Sequence, residues 1–193
     1  MAFLITGFEP FADVTENPSA LVVAALNIMP AFRSHVYAEI LPTEYAAASR
    51  RMEELVRTRK PEAYIALGFG GGSVIRLERT AYNLDDADAP DNSGEVRAGI
   101  PIDPEAPALL TATLPIETMF AVLAQHGIPA AISSDPGRFI CNHVYFHALR
   151  LKHTPCCFIH LPMHSEAGDG PSLPLSMIVE AVTLCMSVAS SSR

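Results

Sequence analysis

The chain has 193 residues, of which 49% are hydrophobic and 18% charged, so it is long enough for an α/β domain with a full core and too apolar to be disordered. Its net charge is −8 and its basic residues form no dense stripe, which argues against a nucleic-acid partner. No apolar run reaches membrane-spanning length, and the N-terminus lacks the length and charge of a signal peptide, so we expect no membrane association. Four cysteines without a secretion signal predict reduced thiols and a cytoplasmic location.

Strands and helices alternate through the first third of the sequence. Apolar, β-favouring runs predict strands at Phe3 to Thr6, Val36 to Leu41 and Ala63 to Leu67, and the last is apolar throughout, as central parallel strands are. Helices are predicted to begin at Asn17-Pro18-Ser19 and to run from Pro42-Thr43-Glu44 to about Arg59.

A glycine-rich turn, Gly68-Phe69-Gly70-Gly71-Gly72-Ser73, follows the third strand. Such turns can bind phosphate, but no Lys-Ser/Thr pair follows this one, and Val74 to Glu78 has an extended rather than a helical pattern. We therefore expect these glycines to let two segments of backbone approach closely.

A long Pro-rich excursion continues to about Pro107 after the turn at Asp91-Asn92-Ser93-Gly94. Excursions of this length in compact domains usually form lids or subunit contacts. Because Ala98 to Pro107 is partly apolar and has no obvious place in the core, we expect it to contribute to the interface of a homo-oligomer, a dimer or a tetramer.

The alternation resumes in the second half of the chain. The pattern predicts a helix near Pro115 to His126, strands at Ile128 to Ile132 and Cys156 to Leu161, a helix beginning at about Cys141, and a last helix from Leu173 to Ala189 before a frayed end at Ser190 to Arg193. This order predicts an α/β three-layer sandwich, with a mostly parallel central sheet and helices on both faces. Without a linker or repeat, residues 1–193 are expected to form a single domain.

Cys141 follows a Pro-Gly turn and lies at or near the start of its helix. Unpaired N–H groups and the positive end of the helix dipole favour the nucleophilic thiolate there, so we expect the pKa of Cys141 to lie well below the ordinary thiol value. The alternative for this stretch is a small apolar residue that happens to be cysteine. Cys156, Cys157 and Cys185 fall in predicted strand or helix, where core packing is expected.

His160 lies at the C-terminal end of a predicted central strand, where the functional groups of open α/β sheets gather. A cysteine hydrolase needs such a histidine to accept and return the proton of its thiol, and an acceptor to orient the imidazole. His143 and His147, with His160 and His164, raise the alternative of a metal site, but no Glu adjoins His143 and no Cys-x-x-Cys pair exists, so we expect no metal. On spacing alone, Glu78 is a solvated loop residue.

Four stretches of the sequence form an ordered set. They are Thr6-Gly7-Phe8-Glu9-Pro10-Phe11 with Asn17-Pro18-Ser19; Glu78-Arg79 with Asn83, Asp86-Ala87 and Pro90 to Gly94; Gly137 to Asn142; and Phe158 to Pro162. Together they resemble the motifs of pyroglutamyl-peptidase I, the pyrrolidone-carboxylate peptidase family of cysteine peptidases. The resemblance covers nearly the whole chain.

The resemblance implies Cys141 as nucleophile, His160 as acid/base and Glu78 as the group that orients His160. It also implies a substrate-binding pocket, made by the four residues Phe8, Phe11, Asn17 and Phe139. The three phenylalanines would surround the five-membered lactam, and Asn17 would support the first loop. An uncharged lactam suits an aromatic slot with a few backbone hydrogen bonds.

The activity implied by the resemblance is removal of an N-terminal pyroglutamyl residue from peptides, through a thioester acyl-enzyme. Members of the family use no metal or other cofactor, are cytoplasmic and are usually homotetramers. We therefore expect peptides with N-terminal pyroglutamate as the substrates of this chain.

Two positions depart from the family pattern. Asp88 stands where members usually carry an arginine, and the glycine turn is one residue shorter, with Phe69 where many bacterial members have glutamine. The charge reversal at Asp88 is expected to weaken stabilisation of the thiolate and the oxyanion, and losing one such donor costs roughly 3–4 kcal/mol in the transition state. These departures leave two alternatives: a catalytically weak or inactive binding protein on the same fold, and a hydrolase with shifted N-acyl or lactam specificity.

Overall fold

The computed structural model of the protein describes residues 1–167 and 170–191. The helices are α1 (Pro18–Ile28), α2 (Tyr45–Arg59), α3 (Ile116–Gln125), α4 (Ile140–Arg150) and α5 (Leu175–Ser191). The strands are β1 (Phe3–Phe8), β2 (Val36–Leu41), β3 (Ala63–Phe69), β4 (Ile75–Glu78), β5 (Thr80–Tyr82), β6 (Asp85–Ala87), β7 (Arg97–Ile100), β8 (Leu109–Thr111), β9 (Ala130–Ser133), β10 (Cys156–Leu161), β11 (Met163–His164) and β12 (Ser172–Leu173). In the described part of the chain, no helix is both long and apolar enough to span a bilayer.

The central sheet has six strands in the order β2-β1-β3-β10-β4-β9. Neighbouring strands are parallel except for β10 and β4, which are antiparallel. Although β3 and β4 are consecutive in the sequence, β10 lies between them. The predicted mostly parallel sheet is confirmed, and this insertion brings residues from the two halves of the chain side by side.

Two hydrophobic cores lie on opposite faces of the sheet, because successive side chains of a strand point to opposite faces. Along β10, Cys157, Ile159 and Leu161 belong to the core with α1, α3 and α5. Cys156 and Phe158 belong to the core with α2 and α4. Helices therefore cover both faces, which confirms the predicted three-layer sandwich. The three predicted core cysteines, Cys156, Cys157 and Cys185, are all buried.

The same alternation aims the polar residues of the sheet at α4. His160 continues the series 156, 158, 160 and so faces the α2–α4 layer. In β4, Ile75 and Leu77 pack in the opposite core, which leaves Arg76 and Glu78 on the α4 side. The beginning of α4 carries Cys141.

Several predicted elements differ from the observed ones. β1 continues through Gly7 to Phe8 because Gly7 still pairs with Ile40, and a Cβ at Gly7 would lie only 2.6 Å from the Ser19 carbonyl oxygen. Glu78 is not a solvated loop residue: it ends β4 and is 0% exposed.

The C-terminal helix also differs from its predicted range. Leu173 lies in β12, and α5 begins at Leu175. Ser190 and Ser191 are helical rather than frayed. Ser192 and Arg193 lie outside the described residues.

The excursion after β4 is more ordered than expected, because β5 pairs with β8 and β6 pairs with β7. Ile102 and Ala106 also pack against the α2–α4 core, which corrects the expectation that this segment has no place there. Asp85 of β6 fixes the hairpin to α4: its Oδ2 lies 2.8 Å from His143 Nδ1 and accepts a 2.9 Å hydrogen bond from Arg97 Nη1.

Because Asp85 is fully buried, Asp85→Ala leaves the His143 and Arg97 partners of its carboxylate uncompensated. We expect the free energy of unfolding to fall by about 3 kcal/mol, as when one partner of a buried ionic pair is removed. Urea denaturation measures the change. Asp88→Ala is the matched control, since Asp88 is exposed, and it should change the free energy by less than about 0.5 kcal/mol. Equal effects in the two variants would contradict a structural role for Asp85.

Candidate active site

A cavity of about 520 Å³ opens beside the carboxyl ends of β3 and β10 and the first turn of α4. It is lined by Phe11, Phe69, Gly70, Gly71, Arg76, Asp135, Pro136, Gly137, Phe139, Cys141 and His160. The predicted nucleophile and the predicted acid/base therefore share one cavity. Its place at the carboxyl edge of the sheet is typical of ligand sites in open α/β folds.

Cys141 is the second residue of α4, which follows Phe139 without a side-chain cap. The N–H groups of this first turn have no acceptor within the helix and point toward the cavity end. A Cβ at Gly68 would lie 2.8 Å from Cys141 Sγ and 2.7 Å from Phe158 Cζ. The bare backbone of Gly68 thus leaves room for the Cys141 thiol at the strand edge. The neighbours of Gly68 and Gly70 are side chains and not the second backbone segment that the glycine turn was predicted to admit.

His160 is held by Glu78, whose Oε1 lies 2.8 Å from His160 Nδ1. Both side chains are buried, and the Phe158 ring packs 4.8 Å from the imidazole centroid. The Tyr145 hydroxyl fixes the end of β4 by donating a 3.0 Å hydrogen bond to the Glu78 main-chain oxygen. With Nδ1 bound to the carboxylate, Nε2 is the ring nitrogen left for exchange of a proton in the cavity.

The charge balance of the site contradicts one expectation. Burial, followed by the negative charge of Glu78, raises the pKa of the Cys141 thiol to about 12. The N–H of Cys141 at the helix start and the charge of Arg76 oppose this shift but do not reverse it. The predicted pKa below the ordinary thiol value is therefore wrong, and the thiol is protonated at neutral pH.

Two aromatic side chains form one wall of the cavity. The ring centroids of Phe11 and Phe139 lie 6.0 Å apart. The Tyr45 and Phe139 rings pack edge to face, with 5.6 Å between their centroids. Tyr45 is itself fully buried.

Phe8 and Asn17 do not line this cavity. Phe8 is buried in the α2–α4 core. The Asn17 Oδ1 accepts hydrogen bonds from the Ser19 N–H and hydroxyl, at 3.1 and 2.8 Å, and its Nδ2 donates to the Glu9 carbonyl at 3.1 Å. Asn17 thus begins α1 and closes the loop that carries Phe11.

Sequence reasoning did not single out two residues of this region. Arg76 lines the cavity, and nothing in the pattern of a four-residue strand distinguishes it. Asn142 is fully buried; its Oδ1 accepts from Tyr82 N at 2.7 Å, and its Nδ2 donates to the Tyr82 and Leu84 carbonyls at 2.9 Å. A polar residue directly after Cys141 on a buried helix face was the available signal.

The two departures from the family pattern fall in different places. Asp88 is exposed and does not line the cavity, so its negative charge is not part of the wall. Phe69 does line it, at the end of β3.

The histidines that suggested a metal site have other neighbours. His143 pairs with Asp85, and His147 Nδ1 lies 3.1 Å from Glu53 Oε1. Over residues 1–167 and 170–191, no group of three or more His, Cys, Asp or Glu side chains could hold a metal ion.

A family model described as pyroglutamyl peptidase matches residues 1–192. The chain belongs to the pyroglutamyl peptidase family. It is 40% identical over 171 residues to the pyrrolidone-carboxylate peptidase of Gloeobacter violaceus, and this alignment covers 86% of this chain and 83% of the relative. It is 39% identical over 191 residues to the pyrrolidone-carboxylate peptidase of Chromobacterium violaceum, and this alignment covers 96% of this chain and 91% of the relative.

Solved structures of the family have the same fold. Pyroglutamyl peptidase I from Bacillus amyloliquefaciens superimposes with a TM-score of 0.93 at 32% identity, covering 98% of this chain and 95% of that one. Pyrrolidone carboxyl peptidase from Pyrococcus furiosus superimposes with a TM-score of 0.93 at 32% identity, and the superposition covers 98% of each chain. As a member of the pyroglutamyl peptidase family, the chain is a cysteine peptidase.

The raised pKa predicts how Cys141 reacts with iodoacetamide. Since only the thiolate reacts, the rate should rise about tenfold per pH unit between pH 7 and 10, without a plateau near neutral pH. Mass spectrometry of each cysteine peptide measures the rates.

The other three cysteines are internal controls. Cys156, Cys157 and Cys185 are buried, and burial also raises their pKa values, so in the folded protein they should react far more slowly than the half-buried Cys141. A plateau of the Cys141 rate above about pH 6 would instead indicate a preformed thiolate–imidazolium pair.

Proposed function

We propose that this cysteine peptidase removes the N-terminal pyroglutamyl residue from peptides, with Cys141 as nucleophile, His160 as acid/base and Glu78 orienting His160. The observation that carries the proposal is the shared cavity of Cys141 and His160, together with the 2.8 Å bond from His160 to buried Glu78. It is also supported by relatives that are named pyrrolidone-carboxylate peptidases.

The pyroglutamyl lactam packs against the aromatic wall of the cavity, which Phe11 and Phe139 form together with their ring centroids 6.0 Å apart. Phe8 and Asn17 act indirectly. Phe8 anchors the end of β1 in the core, and Asn17 closes the following loop, so that Phe11 is held at the cavity.

In the acylation step, His160 Nε2 accepts the proton of Cys141 while Sγ attacks the pyroglutamyl carbonyl carbon. Proton transfer during the attack is required because the free thiol is protonated at neutral pH. The N–H of Cys141, at the start of α4, stabilises the oxyanion of the tetrahedral intermediate. His160 then protonates the leaving peptide amine, and a thioester to Cys141 remains.

In the deacylation step, His160 removes a proton from water, and the hydroxide attacks the thioester carbonyl. The C–S bond breaks, the sulfur takes back the proton from His160, and pyroglutamate leaves. Glu78 holds one ring orientation through both steps, which is the role of the acidic member in a catalytic triad.

The alternatives raised by the sequence are not favoured. A weak or inactive binding protein was suggested by Asp88, but that residue lies outside the cavity. A shifted specificity was suggested by the shortened glycine turn, and the chain nevertheless belongs to the pyroglutamyl peptidase family.

Hydrolysis of a pyroglutamyl chromogenic amide tests the proposed roles. Cys141→Ser should abolish turnover, whereas Cys185→Ser, a change in the opposite core, should leave kcat within about twofold. Glu78→Gln should lower kcat by roughly 10²–10⁴-fold and less than loss of Cys141, because nucleophile and base remain. Full activity in Cys141→Ser, or none in the folded wild-type protein, would contradict the proposal.

We also propose that the chain works in the cytoplasm as a single domain. All four cysteines are free thiols, which suits a reducing compartment. The single domain, residues 1–193, is supported by the sheet, since β1 and β10, from opposite ends of the chain, both pair with β3.

The proposed assembly is a homo-oligomer, a dimer or tetramer, in which the Ala98 to Pro107 segment contributes to the interface. Large apolar side chains around it are exposed: Val96 is 50%, Ile100 46% and Leu109 44% accessible. Light scattering at micromolar concentration should show an oligomer, and Ile100→Glu should shift it toward the monomer. Arg50→Glu on exposed α2 surface is the control that should not. A monomeric wild-type protein would contradict the proposal.

A further inference from the structure

We propose that Arg76 is a positioning residue of the active cavity: its guanidinium offsets the buried Glu78 carboxylate, so that Glu78 can orient His160 without opposing negative charge on the Cys141 sulfur. The inference rests on the proposed roles of these three residues. It adds a fourth side chain, contributed by the middle of β4.

Arg76 is placed at the centre of the site by strand register. It lies directly across from His160 in the antiparallel β10–β4 pair, while Gly68 lies across from His160 on the other side. Both Arg76 and His160 face the α4 layer. A Cβ at Gly70 would be 2.5 Å from Arg76 Nη2 and 2.7 Å from His160 Cβ, so the two side chains contact the same surface of the Gly70 backbone.

The guanidinium is fixed at two of its three nitrogens. Nη1 donates a 2.9 Å hydrogen bond to the Gly70 carbonyl, and Nε lies 3.5 Å from Glu78 Oε1, the oxygen that also binds His160. Within the described part of the chain, Nη2 has no hydrogen-bond partner, and the residue lines the cavity. The charge is thus held in place rather than free in solvent.

The other charged and titratable groups around Cys141 do not supply this balance. Asp135, in the loop before α4, adds negative charge to the cavity wall and is paired with Arg138 at 2.8 Å. The Tyr145 hydroxyl, from α4, donates a hydrogen bond to the Glu78 main-chain oxygen, and burial raises its pKa. Among the described lining residues, Arg76 is the one lysine or arginine. Its charge lowers the pKa of Cys141 against the opposing effect of burial and Glu78.

The effect of the Arg76 charge on Cys141 can be measured by alkylating the thiol with a neutral and with an anionic reagent. In Arg76→Gln, labelling by iodoacetamide at pH 8 should slow about tenfold, the effect of removing one neighbouring cation. Labelling by iodoacetate should slow further, so that the iodoacetate-to-iodoacetamide ratio falls several-fold. Arg76→Lys, which keeps the charge, should restore most of both rates.

Two further variants complete the experiment. Arg79→Gln removes the same charge three residues away, from an exposed pair with Glu117, and should change both rates by less than twofold. Arg76→Met keeps the length of the side chain and gives a second neutral variant if Arg76→Gln does not fold. An unchanged reagent ratio in the folded neutral variants would overturn the proposal, because a purely structural residue would slow both reagents equally.

Turnover separates this inference from the proposed activity. Arg76→Gln should lower kcat for the pyroglutamyl amide by about tenfold and leave KM within twofold, since the lactam is uncharged. Because labelling reads the sulfur without requiring hydrolysis, an altered reagent ratio in a protein that hydrolyses nothing would overturn the peptidase proposal alone. A fall in activity expressed only through KM would contradict the role assigned to Arg76.

Discussion

The arrangement of the site depends on the hydrogen bond between His160 and Glu78, and that bond exists because β10 lies between β3 and β4. The antiparallel pairing puts Glu78 opposite Phe158 and Arg76 opposite His160. Sheet alternation then turns all the polar members of this group toward the first turn of α4. The strand order, rather than any local motif, brings the acidic residue to the imidazole.

This geometry has an electrostatic consequence for the thiol. A buried carboxylate that orients a histidine also opposes negative charge nearby, and together with burial it raises the pKa of Cys141. The helix start alone does not overcome these effects. In the proposed mechanism, Cys141 therefore depends on proton transfer to His160 during the reaction and on the positive charge of the cavity wall.

Much of the fold could be predicted from the sequence, because β-favouring runs bounded by polar or proline residues indicate strands: β2 and β10 lie at the predicted residues. The burial of Glu78 could not be predicted from spacing, because β4 has only four residues. The residue that pairs with Glu78 in the neighbouring strand, Phe158 of β10, comes 80 residues later in the sequence. Arg76 was missed for the same reason. The motif resemblance named Phe8 as a pocket residue, but in the structure it packs in the α2–α4 core instead of lining the cavity.

The central claim is covalent catalysis at Cys141, and the most direct measurement is to trap the acyl-enzyme. Mixing the protein with an activated pyroglutamyl ester, quenching with acid and digesting should yield one modified peptide. The account predicts a pyroglutamyl group on the peptide that contains Cys141, and its loss in Cys141→Ser. A pyroglutamyl group on another cysteine, or turnover of the ester with no modified peptide when deacylation is rate-limiting, would contradict it.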